Sequence, residues 1–114
     1  MGPAELLKWQ WDGYPRYHRS RTNLLLHVVV VPVFVAGNVA LLVGLVRASL
    51  GVAGLGLLAM LASAALQGVG HRTEPNPPEP FTSRWNAVAR LLLEQWVNFP
   101  RFVISGRWWR ALVS

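Results

Sequence analysis

The sequence predicts an all-α integral membrane protein, a two-helix transmembrane hairpin with flanking interfacial amphipathic helices. Three observations carry the prediction. Residues 24–46 form a run of 23 residues without a formal charge, and residues 50–69 form a second run of 20. Crossing ~30 Å of hydrocarbon at 1.5 Å per helical residue takes about 20 residues. Charged residues are 14% of the chain, against roughly 25% in soluble domains. All six tryptophans lie outside the two runs, where interfacial anchors belong. A chain of 114 residues has too little other mass to bury two such helices in a soluble core.

The elements follow in order. Residues 1–23 are polar and aromatic, with Leu6, Leu7, Trp9 and Trp11 expected to touch the membrane. Residues 24–46 are the first span, which Pro32 and Asn38 interrupt; Pro32 is expected to kink it and free the Val28 carbonyl. Residues 47–49 are a turn, so the two spans run antiparallel and their outer ends share one membrane face. Residues 50–69 are the second span. Its pairs Ala59 and Ser63, and Ala64 and Gly68, suit close helix approach, either within the hairpin or in a homo-oligomer through this span. Residues 70–82 are a linker, stiffened by the prolines of Pro75–Pro80. Residues 83–114 are interfacial helices. Thr82 or Ser83 is the expected N-cap, and Trp85, Val88, Leu92 and Trp96 form an apolar stripe, with Arg84, Arg90 and Glu94 placed largely elsewhere. Pro100 is expected to break that helix. No cleavable signal is expected, since a long polar lead precedes the first run and no cleavage site follows it.

Net charge is +6. Lys8, Arg16, Arg19, Arg21, Arg72, Arg84, Arg90, Arg101, Arg107 and Arg110 flank the spans on one side, and only Arg47 lies on the other. The positive-inside rule then puts both termini in the cytoplasm, in an inner or plasma membrane if bacterial or an ER-type membrane if eukaryotic. This distribution favours membrane lipids over nucleic acid as the basic residues' partner. Absence of cysteine excludes disulfides, thiolate metal sites and cysteine nucleophiles.

The three histidines do not fit a plain anchor. The hairpin brings His18, His27 and His71 to one membrane face. Glu74 follows His71 by one helical turn, although Pro75 disfavours helix there. His18 and His27 can share a site only if the helix breaks between them, for which Ser20-Arg21-Thr22 offers a place, with Thr22 as a cap. Imidazoles with a carboxylate and no thiolate suit a divalent transition metal, Fe(II) among them. Asn23 lies four residues before His27, and Gln67 four before His71, where either could orient a ligand's other nitrogen. Each also has a plainer reading: interfacial histidines snorkel or cap, Asn23 can start a helix, and Gln67 can be solvated.

The spacing Tyr14-x3-His18-x4-Asn23-x3-His27-x4-Pro32, followed by Gln67-x2-Gly70-His71-x2-Glu74-x2-Pro77, resembles the membrane-bound 2-hydroxy-fatty-acid dioxygenase family. The resemblance covers roughly residues 14–32 and 67–78 and takes in every histidine of the chain. It implies Fe(II) as cofactor and α-oxidation as activity. By that resemblance His18, His27 and His71 would be catalytic metal ligands, with Glu74 a fourth ligand or close neighbour. Tyr14, Asn23 and Gln67 would support them. Long-chain 2-hydroxy fatty acid and O2 would be the substrates, with the acyl tail between the hairpin and residues 83–98. Arg19, Arg72 or Arg84 could receive the carboxylate. Family members carry four spans where this chain has two, Val30 stands where the family often has glycine, and the tail from Phe81 diverges. Another metal-dependent lipid enzyme (a hydroxylase or hydrolase), a non-catalytic membrane subunit and a lipid-headgroup binder are the alternatives.

Overall fold

A computed structural model describes residues 1–114. The chain is all-helical: α1 Pro3–Tyr17, α2 Arg21–Val46, α3 Leu50–His71, α4 Arg84–Leu93, a π-helical turn Glu94–Asn98, α5 Phe99–Ile104 and α6 Arg107–Val113. Two of these, α2 and α3, are long and apolar enough to cross a membrane, with mean hydropathies of 2.5 and 1.8.

Local chemistry sets the boundaries. Pro3 starts α1, where a missing N–H costs nothing. The chain leaves helical geometry at His18 (φ −132°, ψ 66°) and re-enters at Ser20, whose hydroxyl accepts from Asn23 N at 3.3 Å. The cap is therefore Ser20 rather than Thr22, and the break falls between His18 and His27 as a shared site requires. The helix α2 runs unbroken through Pro32 to Val46. Ala48, at φ 52°, turns the chain. Ser49 N then closes on Gly44 O at 2.8 Å, while the Ser49 hydroxyl accepts from Val52 N at 3.3 Å and caps α3. Ser83 caps α4 by accepting from Asn86 N at 3.0 Å.

The helices α2 and α3 lie side by side and antiparallel. Gly44 meets Ala53, Gly37 meets Gly56, Ser63 Oγ donates to Val30 O at 2.5 Å, and Asn23 lies against Gly70. The α2 face of this seam is Asn23, His27, Val30, Phe34, Gly37, Leu41 and Gly44, in steps of four and three. The α3 face is Ala53, Gly56, Met60, Ser63, Gln67 and Gly70, in steps of three and four. Alternating threes and fours average 3.5 residues, the period that keeps two helices in contact along their length. A Cβ on Gly37 would meet Gly56 O at 2.7 Å, so backbone touches backbone there. The outward faces are apolar: Leu45 is 62% exposed, Leu50 87% and Leu55 70%.

The remaining helices gather at the end of the pair that carries the chain's histidines. Tyr14, Leu24, Val31, Phe99 and Phe102 form the core there. Trp108 Nε1 donates to Leu24 O at 3.0 Å and ties α6 to α2. Leu6, expected at the membrane, is instead buried. Pro100 does not break the helix. The chain continues from α4 through the π-helical turn into α5, with Pro100 in the first turn of α5. Proline removes the N–H that would bond four residues back, and a π turn absorbs such a gap.

Candidate metal centre

Four elements each contribute one side chain. His18 ends α1, His27 lies in the second turn of α2, His71 ends α3, and Glu94 opens the π-helical turn. One ligand atom from each lies within 4.8 Å of all the others, so the four could hold a metal ion. The three imidazole rings form a near-equilateral triangle. Their centroids are 5.1 Å apart for His18–His27, 4.9 Å for His18–His71 and 5.0 Å for His27–His71. Each ring stands nearly perpendicular to the other two, at 80–90°.

Hydrogen bonds on the far side of two rings fix which nitrogen faces inward. His18 Nδ1 lies 2.9 Å from Tyr14 O and His27 Nδ1 lies 3.0 Å from Asn23 O. A carbonyl only accepts, so each Nδ1 carries the proton and donates it. Each Nε2 then presents a lone pair to the centre. His18 Nε2 faces Glu94 Oε2 at 3.2 Å, and His27 Nε2 is 3.7 Å from the same oxygen. With both imidazoles neutral, lone pairs face lone pairs there, which repels unless a proton on Nε2, donated to Glu94, or a metal cation lies between them. Three adjacent imidazolium ions, about 5 Å apart, would repel one another in turn. One shared metal cation would satisfy all four groups. His27 Nε2 and His71 Nδ1 are buried without any hydrogen-bond partner, which fits atoms that serve as metal ligands.

Tyr14 supports the cluster in three ways. Its carbonyl orients His18, its ring stacks on the His18 ring at 3.7 Å and 2°, and its hydroxyl donates to Glu94 Oε2 at 2.9 Å. Burial of Glu94 works to raise its pKa, but the His18 hydrogen bond and the nearby histidine charges outweigh it and hold the carboxyl at about 2. Glu94 is thus the anion of the site. Burial, and then the Glu94 charge, push the Tyr14 hydroxyl well above its ordinary pKa, so it stays a donor.

The structure brings His18, His27 and His71 together and sets Glu74 outside the cluster. Glu74 Oε1 accepts from Arg19 N at 2.8 Å. Its Oε2 accepts from Ser20 N at 3.0 Å and from Asn23 Nδ2 at 2.8 Å. It is a carboxylate at the N-terminus of α2, where the helix dipole favours one, and it holds the α1–α2 junction beside His18. Asn23 orients His27 through its backbone carbonyl, while its side chain serves Glu74. Gln67 does not reach His71. Its amide exchanges two hydrogen bonds with Gln95, both 2.8 Å, and donates to Ser63 Oγ at 3.0 Å.

Glu94 is the residue that the sequence reading set aside. Helical spacing from Trp85 to Trp96 put it off the apolar stripe, and so toward water. Its signal was there in weak form: one acid beside Gln95 in an otherwise apolar stretch. The side chains that open onto the cluster line a cleft of about 90 Å³ joining His18, His71 and Glu94 to Trp9, Glu79 and Arg90. Val28, Val31, Val35, Phe99 and Val103 line a second, apolar groove of about 360 Å³ between α2 and α5, and the Phe99 ring lies 5.7 Å from that of His27. Comparison of the chain with protein-family models, with curated proteins and with solved structures finds no match.

Proposed function

We propose that the chain is a membrane-embedded, Fe(II)-dependent dioxygenase that shortens 2-hydroxy fatty acids by one carbon. The observation that carries the reading is the convergence of three imidazoles and one carboxylate at the end of two apolar helices, with His27 Nε2 buried and unpartnered. The membrane placement rests on the outward faces of α2 and α3. They are apolar and mostly exposed, unlike the core helices of a soluble protein. Together with the short turn between them, this reads as a transmembrane hairpin. The basic flanks point both termini, and the cluster with them, to the cytoplasm.

Within this reading His18, His27, His71 and Glu94 hold the metal. A set rich in imidazole with one carboxylate and no thiolate suits Fe(II). Bound iron supplies the electron-transfer chemistry that lets O2 react with an organic acid. The protein does the rest. Tyr14 and the Tyr14 and Asn23 carbonyls hold the ligands in orientation. Glu94 offsets the cation's charge. The cleft admits a polar head from the aqueous side, and the groove between α2 and α5 suits an acyl tail from the bilayer side. The substrate class itself comes from the resemblance of the Tyr14–Pro32 and Gln67–Pro77 spacings.

The test is direct. Detergent-purified chain should contain a divalent metal by elemental analysis. Loaded with Fe(II) and given a long-chain 2-hydroxy fatty acid, it should consume O2 and release the acid one carbon shorter. His71→Ala should abolish turnover and Arg47→Ala should leave it intact. Iron-loaded protein that shortens no 2-hydroxy acid at any chain length would overturn the substrate, and protein that binds no metal would overturn the site.

A further inference from the structure

Arg90 lies one helical turn before Glu94, so the two side chains share a face of the helix, and both line the cleft that reaches the cluster. Its guanidinium carries five N–H groups. Nη1 donates to Pro80 O at 3.1 Å and to Asn86 Oδ1 at 3.4 Å. Nη2 donates to Glu79 O at 2.8 Å. The Nε–H is buried and has no partner, and one Nη2 hydrogen is also uncommitted. Nε–H and the adjacent Nη2–H make one edge of the planar fork, the edge that takes both oxygens of a carboxylate.

Two aromatic rings hold the guanidinium in place. Phe81 lies 4.5 Å and Trp9 5.1 Å from the guanidinium carbon, ring centroid to cation. Neither nearby acid pairs with Arg90: Glu79 Oε1 accepts from Tyr17 Oη at 3.0 Å, and Glu94 Oε2 is taken by Tyr14 and His18. The backbone bonds explain how Arg90 fastens the proline-rich linker. They do not explain a buried donor left over in a side chain that lines the route to the metal ligands. The other arginines near the cluster, Arg19, Arg107 and Arg110, line a separate and wider groove that touches only His18 among the four ligands.

We propose that Arg90 is the substrate-binding residue that receives the carboxylate of a long-chain carboxylic acid and so sets its α-carbon toward the histidine cluster. This rests on the metal-enzyme reading above and adds to it the residue that selects an acid over a neutral lipid. It adds Arg90 to Arg19, Arg72 and Arg84 as the residue to test for the carboxylate.

The experiment is calorimetric titration, under argon, of the detergent-purified, metal-loaded full chain. Two probes are used: 2-hydroxyhexadecanoic acid and the neutral 1,2-hexadecanediol. The native protein should bind the acid at least about tenfold more tightly than the diol, as loss of a charge-assisted pair implies. Arg90→Gln should weaken the acid about tenfold and leave the diol within twofold, and Arg90→Lys, which keeps the charge but not the fork, should fall between. Arg110→Gln should change neither. Equal weakening of both probes by Arg90→Gln, no weakening of the acid, or an acid-selective loss from Arg110→Gln would overturn the assignment. Should Arg90→Gln not fold, the native preference and Arg90→Lys decide it: a native preference below threefold, or Arg90→Lys binding the acid as the native chain does, overturns it. Metal content is measured on the same samples. A metal-free native protein would overturn the underlying reading, a result distinct from failed acid selection in metal-loaded protein.

Discussion

Replacing Glu94 by Gln separates the two acids that compete for a role at the metal centre. The amide is isosteric but neutral, and it lies where Oε2 now stands 3.2 Å from His18 Nε2 and 3.7 Å from His27 Nε2. Loss of groups that merely orient ligands weakens metal binding about 10–100-fold, so loss of the one carboxylate ligand should weaken it by at least about 100-fold. The consequence for stability follows from linkage. At metal concentration 100 times the native Kd, binding stabilises the fold by about 2.7 kcal/mol; with Kd raised 100-fold the same concentration gives about 0.4 kcal/mol. At roughly 4 °C per kcal/mol for a chain of this size, metal should raise the native Tm by about 10 °C and that of Glu94→Gln by about 2 °C. The assay is thermal unfolding in detergent with and without metal, alongside competition with a chelator. Glu74→Gln is the companion variant. It should keep its metal shift yet melt lower in both states, because the amide cannot accept from Arg19 N, Ser20 N and Asn23 Nδ2 together. A Glu94→Gln protein that binds metal like the native chain, with Glu74→Gln losing it, would refute this account and return the ligand role to Glu74.

Four further outcomes follow. Tyr14→Phe keeps the ring stacked on His18 but deletes the bond to Glu94, so metal affinity should fall about 10–100-fold with the fold intact, read by the same chelator competition. Gln67→Leu and Gln95→Leu each strand a buried amide and should cost about 1–3 kcal/mol, whereas the double variant should cost clearly less than the two costs added together; additive losses would deny the pairing. Gly56→Ala drives a methyl into Gly37 O and Leu41 N and should destabilise the α2–α3 pair by about 1–3 kcal/mol, measured by unfolding in detergent. Metal occupancy should decline in acid, where protons compete with the metal for the imidazoles; occupancy unchanged at the lowest pH at which the chain stays folded would argue against histidine ligands.

Much of this architecture could be read from the residues, for physical reasons that differ by element. The two long helices announced themselves by length and lack of charge, and their ends at Val46 and Leu50 agree with the expected 46 and 50. The grouping of His18, His27 and His71 followed from a three-residue turn that returns the chain to the same end. The seam between α2 and α3 was harder to see because apolar residues also face outward, while within it small or polar residues alternate with Val30, Phe34, Leu41 and Met60. A search for an apolar stripe passes over Ser63, Gln67 and Gly70. Glu94 was missed because its direction depends on the π-helical turn, which no simple 3.6-residue count reveals. Glu74 was favoured because it is near His71 in sequence, yet the turn after α3 swings it toward Arg19 and Ser20, where unpaired backbone N–H groups await an acceptor.

The ligands come from residues 18, 27, 71 and 94 and from four separate elements, and that spread governs the order in which the protein can be made. If α2 and α3 span a bilayer as proposed, they need only each other and the lipid, and can insert and pair as soon as both have been synthesised. The centre cannot close then, because its only acid lies beyond the proline-rich linker and is still to come. On the proposed reading, metal capture would accordingly be a late event in biogenesis. It would fasten α1 and the α4–α5 arm onto an already paired α2 and α3, so a cell short of metal would accumulate chains that are paired but unclasped at one end. Those chains would expose the linker and both flanking arms to proteases, and metal supply would thereby set the lifetime of the protein.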